Sequence, residues 1–262
     1  MRIIKKGSKG EDVKTLQRLL GVAVDGDFGA KTEAAVRVFQ ADNGLEVDGV
    51  VGAKTWKALG CDGIATDGTV NPLCVDPSVV YCPLTCCITK KANRSIKYLI
   101  IHYTAGTISA AGVAKSMKTY WERKKLASAD FGVDDGTMVQ FNPDPRNYYC
   151  WAVSGGNGIT NANSVSIEIC SSLKKGTDQT HPNHEGWYFT EAALANAVKL
   201  AKILMAKYNI PIERVVRHYD VTGKLCPGLA GWNDGDLYDT NGKKTGKKNN
   251  SNAWMAFKER LK

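Results

Sequence analysis

Two histidines and one cysteine in the second half of the chain have the types and positions needed to bind a metal ion. His102 directly follows the apolar run 97–101, His218 follows the run 215–217, and Cys226 comes soon after it. Imidazole and thiolate are ligands that zinc prefers, and three protein ligands leave one of its four positions open, as in catalytic sites. Each histidine stands where a strand would end, and strand ends collect chemistry in open α/β sheets. The pattern predicts zinc-assisted hydrolysis.

Glu168 and Lys224 are the candidates for moving protons and stabilising charge. Glu168 stands in the otherwise apolar run 165–169, where a buried carboxylate without a partner is costly. It is either a catalytic base or a residue on an exposed strand face. Lys224 precedes Cys226 by two residues, where a cation stabilises a developing oxyanion, although most lysines are solvated surface charges. Asp220 either orients a ligand from outside or caps the loop.

His181 and His184 form a His-x-x-His pair within the polar segment 177–187. Such a pair invites a second metal-site interpretation. Because no third ligand is apparent near it, we predict a surface loop instead.

The elements that must position these residues alternate between strand and helix patterns from residue 95 onward. The predicted strands are residues 98–101, 131–133, 137–141, 165–170 and 215–217, and the predicted helices are residues 110–123, 190–208 and 252–261. Asp134-Asp135-Gly136 predicts a hairpin, and Thr190 is the expected N-cap of the long helix. The inward residues of that helix would be Leu194, Val198, Ala201 and Met205. This is the pattern of a mixed α/β sheet with helices on its faces.

An internal repeat marks the first sixty residues as a separate unit. The pattern Asp-Gly-x-x-Gly-x-x-Thr occurs at residues 25–32 and again at residues 48–55. Each copy predicts a tight Asp-Gly turn followed by a threonine that caps the next helix. Apolar residues at helical spacing lie before and between the copies. We therefore predict a small three-helix, all-α domain at residues 1–60.

Residues 61–94 differ from the segments on either side. They are rich in Gly, Pro, Asp, Thr and Cys and have no sustained period, which indicates a linker before a domain at residues 95–262. Their cysteines lack the paired spacing of a zinc ribbon, and their redox state and pairing stay open. These cysteines are Cys61, Cys74, Cys82, Cys86 and Cys87.

Composition and charge limit the class of protein. The 262 residues are 43% hydrophobic and 23% charged, which is typical of globular domains, and no apolar stretch predicts membrane insertion. The net charge of +9 favours polyanionic partners such as a wall that carries phosphate polymers. The sequence has no basic stripe interleaved with aromatic residues, so we do not predict a nucleic-acid-binding groove. The first residues lack a signal-peptide pattern, so we expect synthesis in the cytoplasm. The oligomeric state stays open.

Residues 95–262 resemble zinc-dependent N-acetylmuramoyl-L-alanine amidases, the family that includes phage lysozyme-like amidases and peptidoglycan recognition proteins. The matching motifs are Ile-Ile-His-Tyr-Thr at 100–104, Asn-Ser-Val-Ser-Ile-Glu-Ile at 163–169, His-Tyr-Asp-Val at 218–221 and Lys-Leu-Cys-Pro-Gly at 224–228. The repeats of the first sixty residues are similar to the small peptidoglycan-binding domain often joined to such enzymes.

The resemblance implies cleavage of the amide between N-acetylmuramic acid and the L-alanine of the stem peptide. It implies Zn²⁺ held by His102, His218 and Cys226, with Lys224 matching the family's Lys-x-Cys or Lys-x-Asp pattern. Some members use a tyrosine as the base, but the segment 128–131 that aligns there has none, which favours Glu168. The segment 150–155 also lacks a histidine that members often carry, so substrate contacts there are not carried over.

The resemblance further implies a phage endolysin that is made in the host cytoplasm and acts on bacterial peptidoglycan after release. Two alternatives stay open. Some relatives bind peptidoglycan without cutting it, but they lack the metal-binding cysteine, which is present here. A wall endopeptidase would use the same zinc chemistry on another amide.

Overall fold

The computed structural model of the protein describes residues 3–20, 22–59, 73–76, 78–105, 124–177, 181 and 183–262, and the helix predicted at 110–123 lies outside these ranges. The described helices are α1 (Glu11–Leu20), α2 (Ala30–Asp42), α3 (Ala53–Ala58), α4 (Glu191–Tyr208), α5 (His218–Thr222) and α6 (Asn252–Glu259). The described strands are β1 (Val80–Tyr81), β2 (Ile88–Lys90), β3 (Tyr98–Tyr103), β4 (Phe131–Val133), β5 (Met138–Gln140), β6 (Tyr148–Cys150), β7 (Ser164–Ile169), β8 (Ser172–Leu173), β9 (Trp187–Tyr188), β10 (Val215–Arg217), β11 (Asp236–Tyr238) and β12 (Lys244–Lys248). None of the described helices has the length and apolar character needed to cross a membrane.

A buried glutamine holds the turn in the first copy of the N-terminal repeat. Gln17 Nε2 donates to Asp25 Oδ1 at 2.6 Å and to Thr32 Oγ1 at 3.1 Å, and Gln17 Oε1 accepts from Gly26 N at 2.8 Å. Gly26 has a φ of +76°, a backbone conformation that glycine adopts without the strain of a side chain. One side chain therefore ties α1, the turn and α2 together.

Gln40 makes the same set of hydrogen bonds in the second copy. Its Nε2 donates to Asp48 Oδ1 at 2.7 Å and to Thr55 Oγ1 at 3.2 Å, and its Oε1 accepts from Gly49 N at 2.9 Å. The three-helix unit is confirmed, but the prediction that its threonines are N-caps is wrong. Thr32 and Thr55 lie inside α2 and α3, where their hydroxyl groups contact the two glutamines.

We expect Gln17→Leu to destabilise the N-terminal unit by about 2–4 kcal/mol, because hydrogen bonds are lost and buried polar groups stay without a partner. Amide hydrogen exchange within α1 and α2 of the full chain measures this change. Lys31→Ala, at an exposed position of α2, is the matched control. Exchange rates in Gln17→Leu equal to those of the control would contradict the role of Gln17.

The second half of the chain forms a six-stranded mixed sheet with the order β1-β5-β4-β7-β3-β10. Strands β4, β7, β3 and β10 are parallel, whereas β5 is antiparallel to β4. The hairpin between β4 and β5 is confirmed, and Asp134 Oδ1 accepts hydrogen bonds from Gly136 N and Thr137 N in its turn. The central strands β3 and β7 are buried along nearly their whole length, as expected for parallel strands covered on both faces.

The long helix α4 covers one face of this sheet and contacts β3, β4, β5 and β7. Thr190 caps it as predicted, since its side chain accepts from Ala193 N at 3.1 Å. The predicted inward face is only partly right. Leu194, Val198 and Met205 lie partly buried at its margin, because the face that meets the sheet is centred on the residues one position earlier. The buried residues of α4 are Ala193, Ala197, Leu200, Ala201 and Leu204.

Part of the predicted linker belongs to the sheet domain. Strand β1 pairs with β5 at the edge of the large sheet, and β2 pairs with β6. Gln140 anchors the approach to β1, because its Oε1 accepts from Val75 N at 2.8 Å and its carbonyl accepts from Cys82 N at 2.9 Å. The linker interpretation of residues 61–94 is therefore wrong for the part that contains β1 and β2. Residues 60–72 lie outside the described ranges.

Candidate metal centre

Three neighbouring parallel strands bring the predicted site residues to one edge of the sheet. His102 in β3 stands directly opposite Glu168 in β7. On the other side of β3, Arg217 of β10 pairs with Ile101, and His218 follows at the first position of α5. Because the carboxyl ends of parallel strands meet at the same edge, Glu168 and His218 flank His102 from two sides.

Cys226 reaches the same place from the loop that follows α5. The helix ends at Gly223, whose φ of +78° turns the chain back. Tyr219 N then donates to Cys226 O at 2.9 Å, which fixes the loop against the first turn of the helix. The peptide bond between Cys226 and Pro227 is cis.

The possible ligand atoms of His102, His218 and Cys226 all lie within 4.8 Å of one another. Cys226 Sγ is 3.6 Å from His102 Nδ1, and the two imidazole rings meet edge to face with centroids 4.7 Å apart. All three residues are buried, and His218 Nδ1 has no hydrogen-bond partner within the described ranges. Buried polar atoms without partners are costly, and this donor set fits a zinc ion, which takes nitrogen and sulfur ligands.

Burial sets the protonation of the three residues. It lowers the pKa of His218 to about 4 and that of His102 well below its ordinary value, so both imidazoles are neutral at pH 7. Neutral imidazole is the form that binds a metal. Burial also raises the pKa of the Cys226 thiol, and the Glu168 charge adds to this effect. The thiol is therefore protonated without a metal, and metal binding must displace its proton.

Glu168 lies beside the cluster rather than in it. Its Oε1 is 3.9 Å from His102 Nδ1, its side chain is only 16% exposed, and its Oε2 has no hydrogen-bond partner in the described part of the chain. Burial raises the pKa of Glu168 to about 8, against the opposing charge of Lys224. A carboxyl group with a pKa near neutral can both accept and return a proton.

Lys224 is exposed at the rim of the site, two residues before Cys226. Burial is the largest cause of the lowered pKa of His218, and the positive charge of Lys224 lowers that pKa further. The same charge acts on His102, Glu168 and Cys226. The structure therefore brings all five predicted site residues together at one edge of the sheet.

Asp220, His181 and His184 are not members of the cluster and contact other groups. Asp220 Oδ2 accepts from the Arg217 backbone N at 2.7 Å and from Arg217 Nε at 3.0 Å, which caps α5. The surface-loop prediction is wrong for His184, which is fully buried and accepts from Gly186 N through Nδ1 at 3.0 Å. His181 stacks on the ring of Tyr238.

Asp130, which was not among the predicted site residues, is a buried group that supports the strand carrying Glu168. Asp130 Oδ2 accepts from Ser166 N at 2.9 Å and from Ser166 Oγ at 2.8 Å, two residues before Glu168. Arg94 lies 3.5 Å from the other carboxylate oxygen, and both side chains are almost completely buried. The signal was an acidic residue beside a short apolar strand, where an unpaired charge would be costly.

Two parts of the chain match known protein families. Residues 92–229 match the family described as N-acetylmuramoyl-L-alanine amidase, and residues 9–59 match the family described as putative peptidoglycan binding domain. Both matches agree with the resemblance seen in the motifs.

Individual proteins from Bacillus subtilis (strain 168) are also similar. N-acetylmuramoyl-L-alanine amidase CwlH is 35% identical over 138 residues, which are 52% of this chain and 50% of CwlH. N-acetylmuramoyl-L-alanine amidase XlyA is 35% identical over 130 residues, 50% of this chain and 39% of XlyA. The chain thus spans half or less of the length of these curated relatives. A solved structure described as a mutant endolysin from Bacillus subtilis has 26% identity and a TM-score of 0.48, covering 70% of this chain and 99% of that chain.

The amidase match spans the whole candidate metal centre, from His102 through Glu168 and His218 to Cys226, and covers more than half of the chain. The motif resemblance is confirmed by this match, and the mixed α/β sheet and the helical N-terminal unit agree with it. The chain belongs to the N-acetylmuramoyl-L-alanine amidase family.

Proposed function

We propose that the protein is a peptidoglycan hydrolase that cleaves the amide between the lactyl group of N-acetylmuramic acid and the L-alanine of the stem peptide. The observation that carries the proposal is the buried cluster of His102, His218 and Cys226, with the Glu168 carboxyl group 3.9 Å from one of its ring nitrogens. An unactivated amide requires a strong nucleophile, a proton acceptor and stabilisation of an oxyanion. The cluster and its two charged neighbours have the chemistry for all three.

His102, His218 and Cys226 are the residues that would hold Zn²⁺. A bound zinc ion would polarise the scissile carbonyl and lower the pKa of water. The two histidines are suited to this task because burial keeps them neutral, and the strands keep their rings at fixed positions. The chemistry of the donor set supports zinc over calcium or magnesium, which prefer oxygen ligands.

In this proposal Glu168 is the general base. Its ionised carboxylate accepts a proton from the attacking water and then returns it to the leaving amine nitrogen of L-alanine. The raised pKa favours the first transfer, because it makes the carboxylate a stronger base, and a pKa near neutral still allows the carboxyl group to return the proton. The position of Glu168 beside His102 supports this role.

Lys224 would stabilise the negative charge that develops on the carbonyl oxygen. We expect Lys224→Met to lower kcat about 100-fold with little change in KM, because the charge acts mainly in the transition state. Steady-state kinetics on a soluble muropeptide measures both constants. Lys202→Met, on the exposed side of α4, is the control. A kcat within twofold of the wild type would exclude this role for Lys224.

The N-terminal unit would bind the wall and raise the local concentration of substrate for the tethered enzyme. The family match of residues 9–59 supports this part of the proposal. We further propose two domains, one at residues 1–60 and one that begins with the first strand of the large sheet, β1 (Val80–Tyr81). A wall-binding unit joined to an amidase suits a phage endolysin, which degrades the wall of its host after the membrane has been permeabilised.

Mass spectrometry of the products that purified protein releases from purified peptidoglycan tests the proposal. Stem peptides with a free N-terminal L-alanine, together with glycan that carries free lactyl carboxylates, are expected, and a chelator should abolish both. Cuts within the stem peptide would instead identify an endopeptidase. Binding to the wall without any product would identify a non-catalytic recognition protein.

A further inference from the structure

The loop that carries Cys226 is held by three asparagines. Asn233 lies six residues after Pro227, and the other two, Asn183 and Asn249, come from more distant parts of the chain. Each of the three backbone carbonyl groups directly after Cys226 accepts a hydrogen bond from one of them. Asn233 Nδ2 donates to Pro227 O at 2.7 Å, Asn183 N donates to Gly228 O at 2.5 Å, and Asn249 Nδ2 donates to Leu229 O at 2.8 Å. We call Asn183, Asn233 and Asn249 the asparagine cluster.

The members of the asparagine cluster are also joined to one another. Asn183 Nδ2 donates to Asn233 Oδ1 at 2.7 Å, and Asn233 Nδ2 donates in return to Asn183 Oδ1. Gly235 connects the third member, since its N donates to Asn233 Oδ1 at 3.0 Å and its carbonyl accepts from Asn249 N at 2.7 Å. The network therefore acts as one unit rather than as three separate contacts.

Because these asparagines are buried, their hydrogen bonds restrict movement of the loop that carries Cys226. Asn183 and Asn233 have no exposed surface, and Asn249 is 7% exposed. An amide that loses its partner in such a place is not rescued by water, so the loop cannot shift without a cost of several hydrogen bonds. Space is equally limited, because a Cβ added to Gly235 would lie 2.3 Å from the Leu225 side chain, one residue before Cys226.

The loop around Cys226, which we call the Cys226 loop, needs such support because no helix or strand fixes its backbone. Of the three proposed ligands, His102 lies in β3 and His218 begins α5, so regular secondary structure positions them. Cys226 lies in neither a helix nor a strand. Its own backbone bonds go to Tyr219 N and Lys224 O. The residues after it are fixed by the asparagine cluster.

We infer that Asn183, Asn233 and Asn249 are positioning residues that hold the Cys226 sulfur in place for the metal ion. The inference rests on the proposed function, since it assumes that the site binds zinc. Groups outside the ligand set commonly contribute 10–100-fold to metal affinity by fixing the ligands. A loop that moves freely would have to be ordered on each binding event, which weakens binding.

Zinc affinity of the full-length variants Asn233→Ala and Asn249→Ala tests this inference. Competition with a chromophoric chelator should show a dissociation constant about 10–100-fold higher than that of the wild type. Asn142→Ala is the matched control, because Asn142 is also fully buried but donates to Asp130 and to Tyr148 O instead of to the Cys226 loop. Its zinc affinity should stay within about threefold of the wild type.

A second readout separates positioning from general stability. In the Co²⁺-loaded protein, the thiolate-to-metal absorption band should weaken in Asn233→Ala and Asn249→Ala and stay unchanged in Asn142→Ala. Thermal unfolding of the metal-free proteins shows which variants are folded. Asn249→Ala removes the side-chain bonds with Leu229 O and Gly231 N but leaves the Asn183–Asn233 pair intact, and it therefore serves if Asn233→Ala does not fold.

Three outcomes would overturn the inference. Folded Asn233→Ala and Asn249→Ala with wild-type zinc affinity would show that the loop needs no such support. An equal loss in Asn142→Ala would reduce the effect to general stability. A wild-type protein that binds no zinc would overturn both this inference and the proposed function, whereas wild-type zinc binding and cleavage with unaffected variants would overturn this inference alone.

Discussion

Glu168→Gln should lower kcat by about 10²–10⁴-fold while zinc content and wall binding stay at wild-type levels. The amide keeps the size of the carboxyl group but cannot accept a proton. Because Glu168 lies beside the metal cluster and is not one of its three closest donors, zinc should be retained. Product release from purified peptidoglycan, metal analysis and wall co-sedimentation measure the three properties on one sample.

The same role of Glu168 also predicts how kcat changes with pH. The base acts in its ionised form, so the rate should rise with pH up to the pKa of Glu168 and then level off. Burial raises that pKa to about 8 without a metal, and a metal cation bound beside Glu168 would lower it. We therefore expect the midpoint of the acidic limb at or below about pH 8, and the limb should be missing from the residual rate of Glu168→Gln.

Glu213→Gln is the matched control, since Glu213 is an exposed carboxylate on the segment before β10. Its pH profile and kcat should equal those of the wild type. If Glu168→Gln turns over at the wild-type rate, Glu168 has no part in the reaction and the base must lie elsewhere.

Cys226→Ala should remove zinc from the protein and, with it, nearly all turnover. Two histidines alone bind zinc far more weakly than a set of three ligands that includes a thiolate. Cys226→Asp should retain part of the zinc, because a carboxylate oxygen also binds this ion. Metal analysis after gel filtration and the product assay test both variants. Wild-type zinc content in Cys226→Ala would remove Cys226 from the ligand set.

The number of protons released on zinc binding tests independently whether Cys226 is a ligand. Because the pKa of the Cys226 thiol is raised, zinc binding to the wild type at pH 7 displaces its proton. Cys226→Asp, which should retain part of the zinc and has a carboxylate in place of the thiol, should release one proton fewer, as measured by calorimetry in buffers of different ionisation enthalpy. Cys74→Ala is the control, since Cys74 is also buried but its Sγ contacts Asp76 O and Val79 O.

Much of the sheet domain could be predicted because its signals are local. Apolar runs mark β3, β7 and β10, and a histidine directly after or at the end of such a run must lie at the edge where parallel strands end. The hairpin after β4 and the Thr190 cap depend on a few adjacent residues, and both are confirmed. These features are local, so the sequence is sufficient to predict them.

Other features depend on partners far away in the chain. Strands β1 and β2 lie in a segment without periodicity, and they form because β5 and β6 offer edges for pairing. The buried face of α4 is decided by how the helix is rotated against the sheet, which buries Leu200 and Leu204 rather than Leu194 and Val198. His184 is buried by contacts that its own polar segment does not reveal.

The sequence by itself determined the family, the mixed α/β fold, the helical repeat unit and the types of side chain that meet at the candidate metal centre. Only the tertiary structure decided how those side chains are held. Asn183 and Asn233 are 50 residues apart and interlock behind the Cys226 loop, and Asp130 supports the strand of Glu168 from 36 residues away. Hydrogen bonds of this kind leave no periodic pattern in the sequence, because their partners are far apart along the chain and meet only when it folds.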